Sequence, residues 1–594
     1  MAVNYKAPIN DIIFAYDVLD SYNILNKIEK FKDFGLDTLE PIVEECAKFA
    51  EEVLAPINSI GDKNGAIFDE GIVKMPPGFK EAYEKFTKAG WSSISLPSDI
   101  GGGGLPYGLS AAILEILCTA NMAFVLGPGL SIGAISGINF HANQGQKDMY
   151  LPDLVAGNWT GTMNLSEPQS GSDLSNISTK ATKQDDGTYR ITGTKIWIGS
   201  GEHDLSENII HLVLAKVPGS PEGTKGISMF IVPKFVVNDD SSLGEHNKVN
   251  CISIEEKLGI HGSPTCVMEY DGSVGYLIGE ENMGLNYMFT TINEARIRAG
   301  GHGLACTSGA LQGASQYARD RVQGRPVGMT KEEAKDSTII DHADVRRTLM
   351  TIKSYLDAMR YMNYDNHLML DLEYFAEGEL KDFGKERCGI LTPITKAWIS
   401  DLSVELTSMA IQVYGGMGYV EETGIAQYFR DARIAPIYAG TNGIQAEDLV
   451  FRKITLNDGK AVESLLKEMR TNISSMKEHE NLELLGEILE RHVAEIEEAT
   501  QYLLKELGKG NLAGVSASGT PYLKMFGQVL GGHYMGKAAV TATKNLLEDN
   551  AEFYNDKITL SKFYIEQLLP LASSYFSSVM LGKENLYSID SNSF

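Results

Sequence analysis

Asn158-Trp-Thr-Gly-Thr-Met-Asn-Leu-Ser-Glu-Pro-Gln-Ser-Gly-Ser-Asp173 marks the change of character that decides the fold of this 594-residue chain. Upstream of it the period is helical. Between Leu39 and Leu54, Ile42, Val43, Cys46, Phe49 and Val53 recur at three- and four-residue steps with acids on the other face, the pattern of an amphipathic helix. Downstream, as far as about Tyr276, short β-type runs follow: Tyr189-Arg-Ile-Thr, Ile209-Ile-His-Leu-Val-Leu-Ala, Ile227-Ser-Met-Phe-Ile-Val and Thr265-Cys-Val-Met-Glu-Tyr. Asp186-Gly187, Pro218-Gly219-Ser220-Pro221 and Asp271-Gly272 supply the turns between them. Short strands at this spacing predict a small barrel or sandwich. After Gly284 the helical period returns and runs nearly to the end. The expected fold class is mixed and mainly α. A helical domain covers 1–157, a β-domain 158–280, a helical bundle 281–458 and a helical extension 459–594.

Lys plus Arg number 52 and Asp plus Glu 78, a formal charge of −26. A surface this acidic repels phosphate backbones and anionic lipid, so neither nucleic acid nor a membrane is an expected partner. At 43% hydrophobic and 22% charged, the composition excludes disorder and collagen. Cys46, Cys118, Cys251, Cys266, Cys306 and Cys388 form no CxxC and meet no His at metal spacing. They read as thiols in a reducing compartment, with no metal site. The opening residues show no basic segment followed by an apolar core, so no secretory signal is read and a bacterial cytoplasm is the expected location.

Three further segments carry expectations. Ala111 to Ile138 is largely apolar, but it contains Glu115, Asn121 and the breaker run Gly127-Pro128-Gly129, which cuts it below the ~20 residues a membrane span needs. It is predicted to form two buried helices. Asp99-Ile-Gly-Gly-Gly-Gly-Leu-Pro106 reads as a flexible interhelical loop without a nucleotide role, since it lacks both Lys-Ser/Thr and a strand–Gly–helix context. Leu482, Leu485, Leu489, Val493, Ile496, Leu503 and Leu507 predict a helix packed on its own subunit. A coiled-coil partner is disfavoured because the heptad is not sustained.

Three clusters carry chemistry. Met163 to Asp173 offers backbone N–H groups and hydroxyls in a tight space, suited to the edge of a flat heterocycle. An ordinary β-turn of small polar residues has the same composition. Gly193-Thr-Lys-Ile-Trp-Ile-Gly-Ser-Gly201 presents Trp197, which can stack on a ring system or fill a core. The third combines Ile411-Gln-Val-Tyr-Gly-Gly-Met-Gly-Tyr419, Arg430-Asp-Ala-Arg433 and Ile437-Tyr-Ala-Gly-Thr-Asn-Gly-Ile-Gln445. Its glycines permit close approach to a ligand, or cap a helix end. The order and spacing of all three together form the specific signal.

With these motifs the chain resembles an acyl-CoA dehydrogenase over about residues 35–455. Ser166-Glu-Pro-Gln-Ser-Gly-Ser-Asp173 stands where that family has its TEPxxGSD loop, and Lys195-Ile-Trp-Ile-Gly199 where it has KxWIT. Tyr317-Ala-Arg-Asp-Arg321 resembles the YAxxR element and Tyr438-Ala-Gly-Thr441 the YEGT element. Within the family, Asn4-Tyr-Lys-Ala-Pro, Ser200-Gly-Glu-His-Asp-Leu-Ser-Glu207, Leu258-Gly-Ile-His-Gly-Ser-Pro-Thr265, Asn293-Glu-Ala-Arg296 and the long extension resemble the 3-(methylthio)propanoyl-CoA dehydrogenase type.

The resemblance implies non-covalent FAD. Met163, Leu165, Ser166, Trp197, Ile198 and Gly199 would meet the flavin ring and ribityl chain, with Gly171 and Ser172 in the same loop. Gly199 replaces the family's usual Thr beside flavin N5, so a hydroxyl contact is lost. Arg321, Gln412 and Gly416 would meet the pyrophosphate and adenosine, partly from a neighbouring subunit, with Thr441 and Gly443 near the phosphates. Ser172, Asn293, Arg296 and Arg452 resemble CoA-holding positions, where a polyanionic ester needs local arginine. The resemblance also implies an acyl-CoA substrate, an electron-transfer flavoprotein as electron acceptor, and a homodimer.

The implied reaction sends the C2 proton of the thioester to a carboxylate while hydride leaves C3 for the flavin. In YEGT that carboxylate is Glu; here the position is Ala439. Loss of a general base typically costs ~10²–10⁴-fold in rate. The Ala439 N–H, which in this family helps polarise the thioester carbonyl, is retained. Three accounts stand open. One is an engineered Glu→Ala change that traps substrate. Another is a base placed elsewhere. Some members carry it next to the Arg296 position, but Ala295 stands there, and Glu294 points about 100° away on a helix. The third is a natural FAD- and CoA-ester-binding member that does not dehydrogenate, or runs a base-free elimination. The expected function is FAD-dependent α,β-dehydrogenation of a short acyl-CoA in dimethylsulfoniopropionate breakdown, with the base absent from this chain.

Overall fold

The computed structural model describes residues 4–547 and 550–594. Helices dominate around one seven-stranded sheet. The chain packs as two compact units, one gathering 1–47, 106–119 and 296–594, the other 48–105 and 120–295.

The second unit holds the sheet. Strands Lys180–Lys183, Tyr189–Gly199, Asn208–Lys216, Ile227–Pro233 and Thr265–Leu277 close into a ring, because Thr265–Leu277 pairs with both Tyr189–Gly199 and Ile227–Pro233. Of the two expected β architectures, the barrel forms. Trp159–Asn164 runs parallel beside Asn208–Lys216. Both faces of that central strand are covered, which explains its unbroken apolar run. Ile210, Leu212 and Leu214 join one cluster with Ile135, Ile138 and Leu154, while Val213 and Ala215 join another with Ile191, Val232 and Tyr270. This is the two-residue alternation of a strand.

Two expectations for the helical regions are corrected. The apolar stretch lies within Tyr107–His141 and does form two helical segments, but they meet at Asn121 (φ −162°, ψ 87°), not at Gly127-Pro128-Gly129. Asn121 Oδ1 accepts the Phe124 N–H at 3.1 Å, so its side chain caps the second segment. Among the described residues this is the one helix apolar and long enough to cross a membrane, and 83% of its apolar window is buried within the protein. The glycine run after Asp99 is not a flexible loop. Gly103, Gly104 and Leu105 donate to Ser93, Leu96 and Ile94 carbonyls at 2.9, 2.9 and 3.1 Å. A Cβ on Gly102 would stand 2.3 Å from the Leu96 carbonyl oxygen, so close backbone packing requires glycine there.

In the first unit, helices Ala343–Phe375 and Gly378–Val413 pack together and the extension joins them. The extension consists mainly of Lys460–Lys477, Glu483–Gly508, Leu512–Lys544, Ala551–Phe563 and Leu571–Leu581. Leu485, Leu489, Val493, Ile496 and Leu503 are buried against the chain's own helices, as a bundle requires. Gly527 and Gly531 permit close approaches, since a Cβ there would lie 2.3 Å from Trp398 and 2.2 Å from the Tyr564 hydroxyl. All six cysteines are buried free thiols.

Candidate active site

Ala439 occupies a backbone conformation that alanine avoids. Its φ is +54° and that of Gly440 is +83°. Left-handed geometry costs a non-glycine residue about 1–2 kcal/mol and persists only where the surroundings impose it. Three tethers impose it here. The Tyr438 hydroxyl is hydrogen-bonded to His302 Nδ1. Gln445 Nε2 reaches the Ala439 carbonyl at 3.5 Å. Lys396 Nζ donates to the Gly440 carbonyl and to Asn442 Oδ1, each at 2.7 Å. Asn442 Nδ2 in turn donates to Asp401 Oδ1 at 2.6 Å, and Thr441 caps helix Asn442–Asp448 by accepting the Ile444 N–H at 3.3 Å. Among the described residues, the Ala439 and Gly440 N–H groups donate to no backbone carbonyl.

Burial pushes His302 down to about 3, so its ring is neutral at physiological pH and Nδ1 can accept the Tyr438 proton. Burial also pushes Lys396 down to about 7, with Asp401 pulling upward and Arg296 pushing further down. Arg296 lies beside the same turn: a Cβ on Gly440 would stand 3.9 Å from its Nη2. Asp448 holds Arg296 at 3.5 Å and the exposed Arg452 at 3.3 Å.

In the barrel unit, Glu167 organises the polar loop. Its buried carboxylate accepts Lys195 Nζ at 2.9 Å, Thr179 Oγ1 at 2.6 Å, and the Ser178 N–H and hydroxyl at 2.6 and 2.7 Å. Lys195 also donates to the Leu165 carbonyl at 2.9 Å, and the Ile196 N–H to Ser166 at 3.0 Å. The loop is thereby sewn to strand Tyr189–Gly199. On that strand Trp197 has φ +62° and is 60% exposed. The ring is therefore uncovered and does not fill the core, and its backbone lies in the left-handed region that a bulky residue rarely adopts. Gly199 has its own packing reason: a Cβ there would stand 2.9 Å from Leu130 Cδ1.

Glu167 gives a pH prediction. Burial alone would raise its pKa, but Lys195 and the Thr179 and Ser178 hydrogen bonds outweigh it and hold the carboxyl at about 2. A folded value below the unfolded ~4.3 adds stability that is present above pH ~4.3 and is lost as the pH falls through the folded value. Glu167→Gln should therefore flatten the loss of stability between pH 4 and pH 2, measured by urea unfolding at stepped pH. An unchanged acid limb would refute this.

The sequence-named residues fall into two groups. The barrel unit carries Met163, Leu165 and Ser166, half-buried, and Gly171 and Ser172, exposed in the loop. It also carries Trp197, Ile198 and Gly199. Asn293 is exposed there, and Glu294 is buried, receiving the Ser136 hydroxyl at 3.4 Å. The helical unit gathers Arg296, Ala439, Thr441, Gly443 and Arg452 around helix Asn442–Asp448. It also carries Arg321, Gln412 and Gly416, all exposed. Sequence reading missed Lys396, Asn442 and His302. Lys396 had a signal: it sits in the run Leu391–Ile399, whose other members are also buried, and a lysine there must find partners.

Models described as acyl-CoA dehydrogenase N-terminal, middle and C-terminal domains match residues 37–158, 162–273 and 282–453. One described as acetyl-CoA dehydrogenase C-terminal like matches 465–590. A 3-methylmercaptopropionyl-CoA dehydrogenase of Ruegeria pomeroyi is 40% identical over 97% of this chain and 98% of its own length. The chain belongs to the acyl-CoA dehydrogenase family. A butyryl-CoA dehydrogenase of Syntrophomonas wolfei is 32% identical over 96% of this chain and 95% of its own length. The solved acyl-CoA dehydrogenase complexed with FAD from Bacillus anthracis shares the fold, with a TM-score of 0.74 at 20% identity over 94% of this chain and 90% of that one. Acyl-CoA dehydrogenases are oxidoreductases acting on CH–CH bonds, and their cofactor is FAD.

The residues present fit that cofactor. Trp197 offers an uncovered aromatic face. At Gly415 and Gly416 a Cβ would meet nothing within 4 Å, so bare backbone is open to a phosphate or a flat ring.

Proposed function

We propose that this acyl-CoA dehydrogenase binds FAD and a short acyl-CoA thioester in an arrangement built for α,β-dehydrogenation, and that it lacks the carboxylate that would take the C2 proton. The observation that carries this is the turn at Ala439: a strained backbone held by three tethers, with no acid to present. The substrate proposed is 3-(methylthio)propanoyl-CoA, supported by the relative that is 40% identical along nearly the whole chain.

When bound, FAD supplies the hydride acceptor. The protein's own part is to bind, orient and polarise. Trp197 and the 165–173 loop would hold the ring system and its polar groups. Arg296, kept cationic beside the turn, receives negative charge from the CoA moiety, with Arg452 as a further contact. The Ala439 N–H donates to the thioester carbonyl and so acidifies C2. No side chain at 439 then accepts the proton, so the bound ester persists. A single Glu→Ala replacement, made to trap substrate, accounts for a turn intact in every other respect. The proposed electron acceptor is an electron-transfer flavoprotein, the assembly a homodimer and the location a bacterial cytoplasm.

Mass spectrometry of CoA esters released from the freshly purified chain tests this reading. A saturated short acyl-CoA, present near one per FAD, is expected. Recovery of the enoyl ester, or of no CoA ester even after adding 3-(methylthio)propanoyl-CoA, would overturn it.

A further inference from the structure

Lys396 is fully buried, yet both of its hydrogen bonds go to uncharged oxygens, the Gly440 carbonyl and Asn442 Oδ1. A cation removed from water ordinarily takes a carboxylate partner. This one is spent on two atoms of the turn that follows Ala439. Asn442 reinforces the arrangement, because its carboxamide nitrogen is fixed by Asp401 Oδ1 and by Ser400 Oγ at 3.0 Å, which aims its oxygen at the ammonium. The two helices that carry the clamp, Gly378–Val413 and Asn442–Asp448, pack on each other. The other tethers act on Tyr438 and on the Ala439 carbonyl. Among the described residues only Lys396 grips the peptide beyond Gly440, where φ is +83°, so it sets the direction of the preceding N–H groups.

We propose that Lys396 is a positioning residue for the acyl thioester, its ammonium clamping the Gly440 carbonyl and Asn442 so that the Ala439 N–H points at the thioester oxygen. This rests on the reading of that turn as the receiving site for the thioester. The charged groups facing Lys396 are Asp401 on its own helix and Arg296 on Gly284–Asp320. Asp448 stands behind Arg296, and Lys524, on Leu512–Lys544, pairs with Asp401 at 3.8 Å. With its pKa lowered by burial to about 7, the clamp is charged below neutrality and loses its charge above it. A charged donor is replaced by a weaker neutral one as the pH rises. His302, held near 3 by burial, does not titrate in this window.

The test is calorimetric binding of butyryl-CoA to the FAD-loaded chain, first freed of any co-purified CoA ester, between pH 6 and pH 8.5, with free CoA as the control. CoA shares every phosphate but has no thioester carbonyl. Butyryl-CoA affinity should fall roughly tenfold across the window, the size of one charge-assisted hydrogen bond, with a midpoint near 7 that CoA does not show. Lys396→Met should bind butyryl-CoA weakly and without that midpoint, while FAD content and CoA affinity stay at the parent's values. Lys396→Arg, always charged, should bind without the midpoint too. If Lys396→Met does not fold, the parent's difference between butyryl-CoA and CoA decides alone. The inference is overturned if that difference is flat, or if Lys396→Met keeps it. If the parent binds no acyl-CoA at any pH, the functional reading itself fails.

Discussion

Ala439→Glu is expected to raise the rate of flavin reduction by a saturated short acyl-CoA by about 10²–10⁴-fold, the usual contribution of a general base. The backbone is already in the required geometry: φ at 439 is +54°, with tethers before and after it. The new side chain would therefore enter a prepared position, and the tethers already offset the cost of a left-handed non-glycine residue. The N–H that polarises the thioester is unchanged by the substitution, so the gain should fall on the chemical step and leave acyl-CoA affinity nearly constant. Stopped-flow bleaching of the visible flavin band under anaerobic conditions measures it. If the Glu variant binds ester and stays yellow, the chain is a CoA-ester-binding protein on a dehydrogenase fold. If the present chain already bleaches as fast, a base lies elsewhere, and Glu294 is the first residue to replace.

The second large effect is on stability. Glu115 and Arg360 are fully buried in the helical unit. Arg360 Nη2 meets Glu115 Oε1 at 2.6 Å, Arg360 Nε meets both carboxylate oxygens at 3.0 and 3.1 Å, and the Tyr364 hydroxyl adds a bond of 2.8 Å. Asp357 accepts Arg360 Nη1 at 2.8 Å and Lys557 of the extension at 2.7 Å, and Lys557 also reaches Asp11 at 2.6 Å. Glu115→Ala would strand a guanidinium away from water with half of its partners gone. Breaking a buried pair from one side costs about 3–5 kcal/mol. Replacing both partners with apolar residues of similar volume, Glu115→Leu with Arg360→Met, should recover much of that loss, since no unpaired charge remains. Urea unfolding of the three chains checks both statements. A loss below about 1 kcal/mol in Glu115→Ala would show that water or a shifted neighbour solvates Arg360.

The barrel was legible because its strands announce themselves by period and by turn residues. Its central strand, buried on both faces, could be recognised only as an apolar run. The helix break was misplaced for a chemical reason: Gly127-Pro128-Gly129 has the weaker propensity, but Asn121 has the side chain that caps, and the cap decided. The glycines after Asp99 looked like slack and are instead a close backbone contact. At the site, the motif loops and Ala439 were readable because their chemistry is local. The clamp was not, because Lys396 meets Gly440 across 44 residues and His302 meets Tyr438 across 136. No local pattern encodes a contact made by packing of distant helices.

Anaerobic titration of the present chain with 3-(methylthio)propanoyl-CoA, followed through the visible flavin spectrum and by analysis of the recovered ester, tests the central claim most directly. A saturable shift of the oxidised flavin band without bleaching, with the saturated ester recovered unchanged, is the predicted result. Bleaching of the band with recovery of the enoyl-CoA would contradict it.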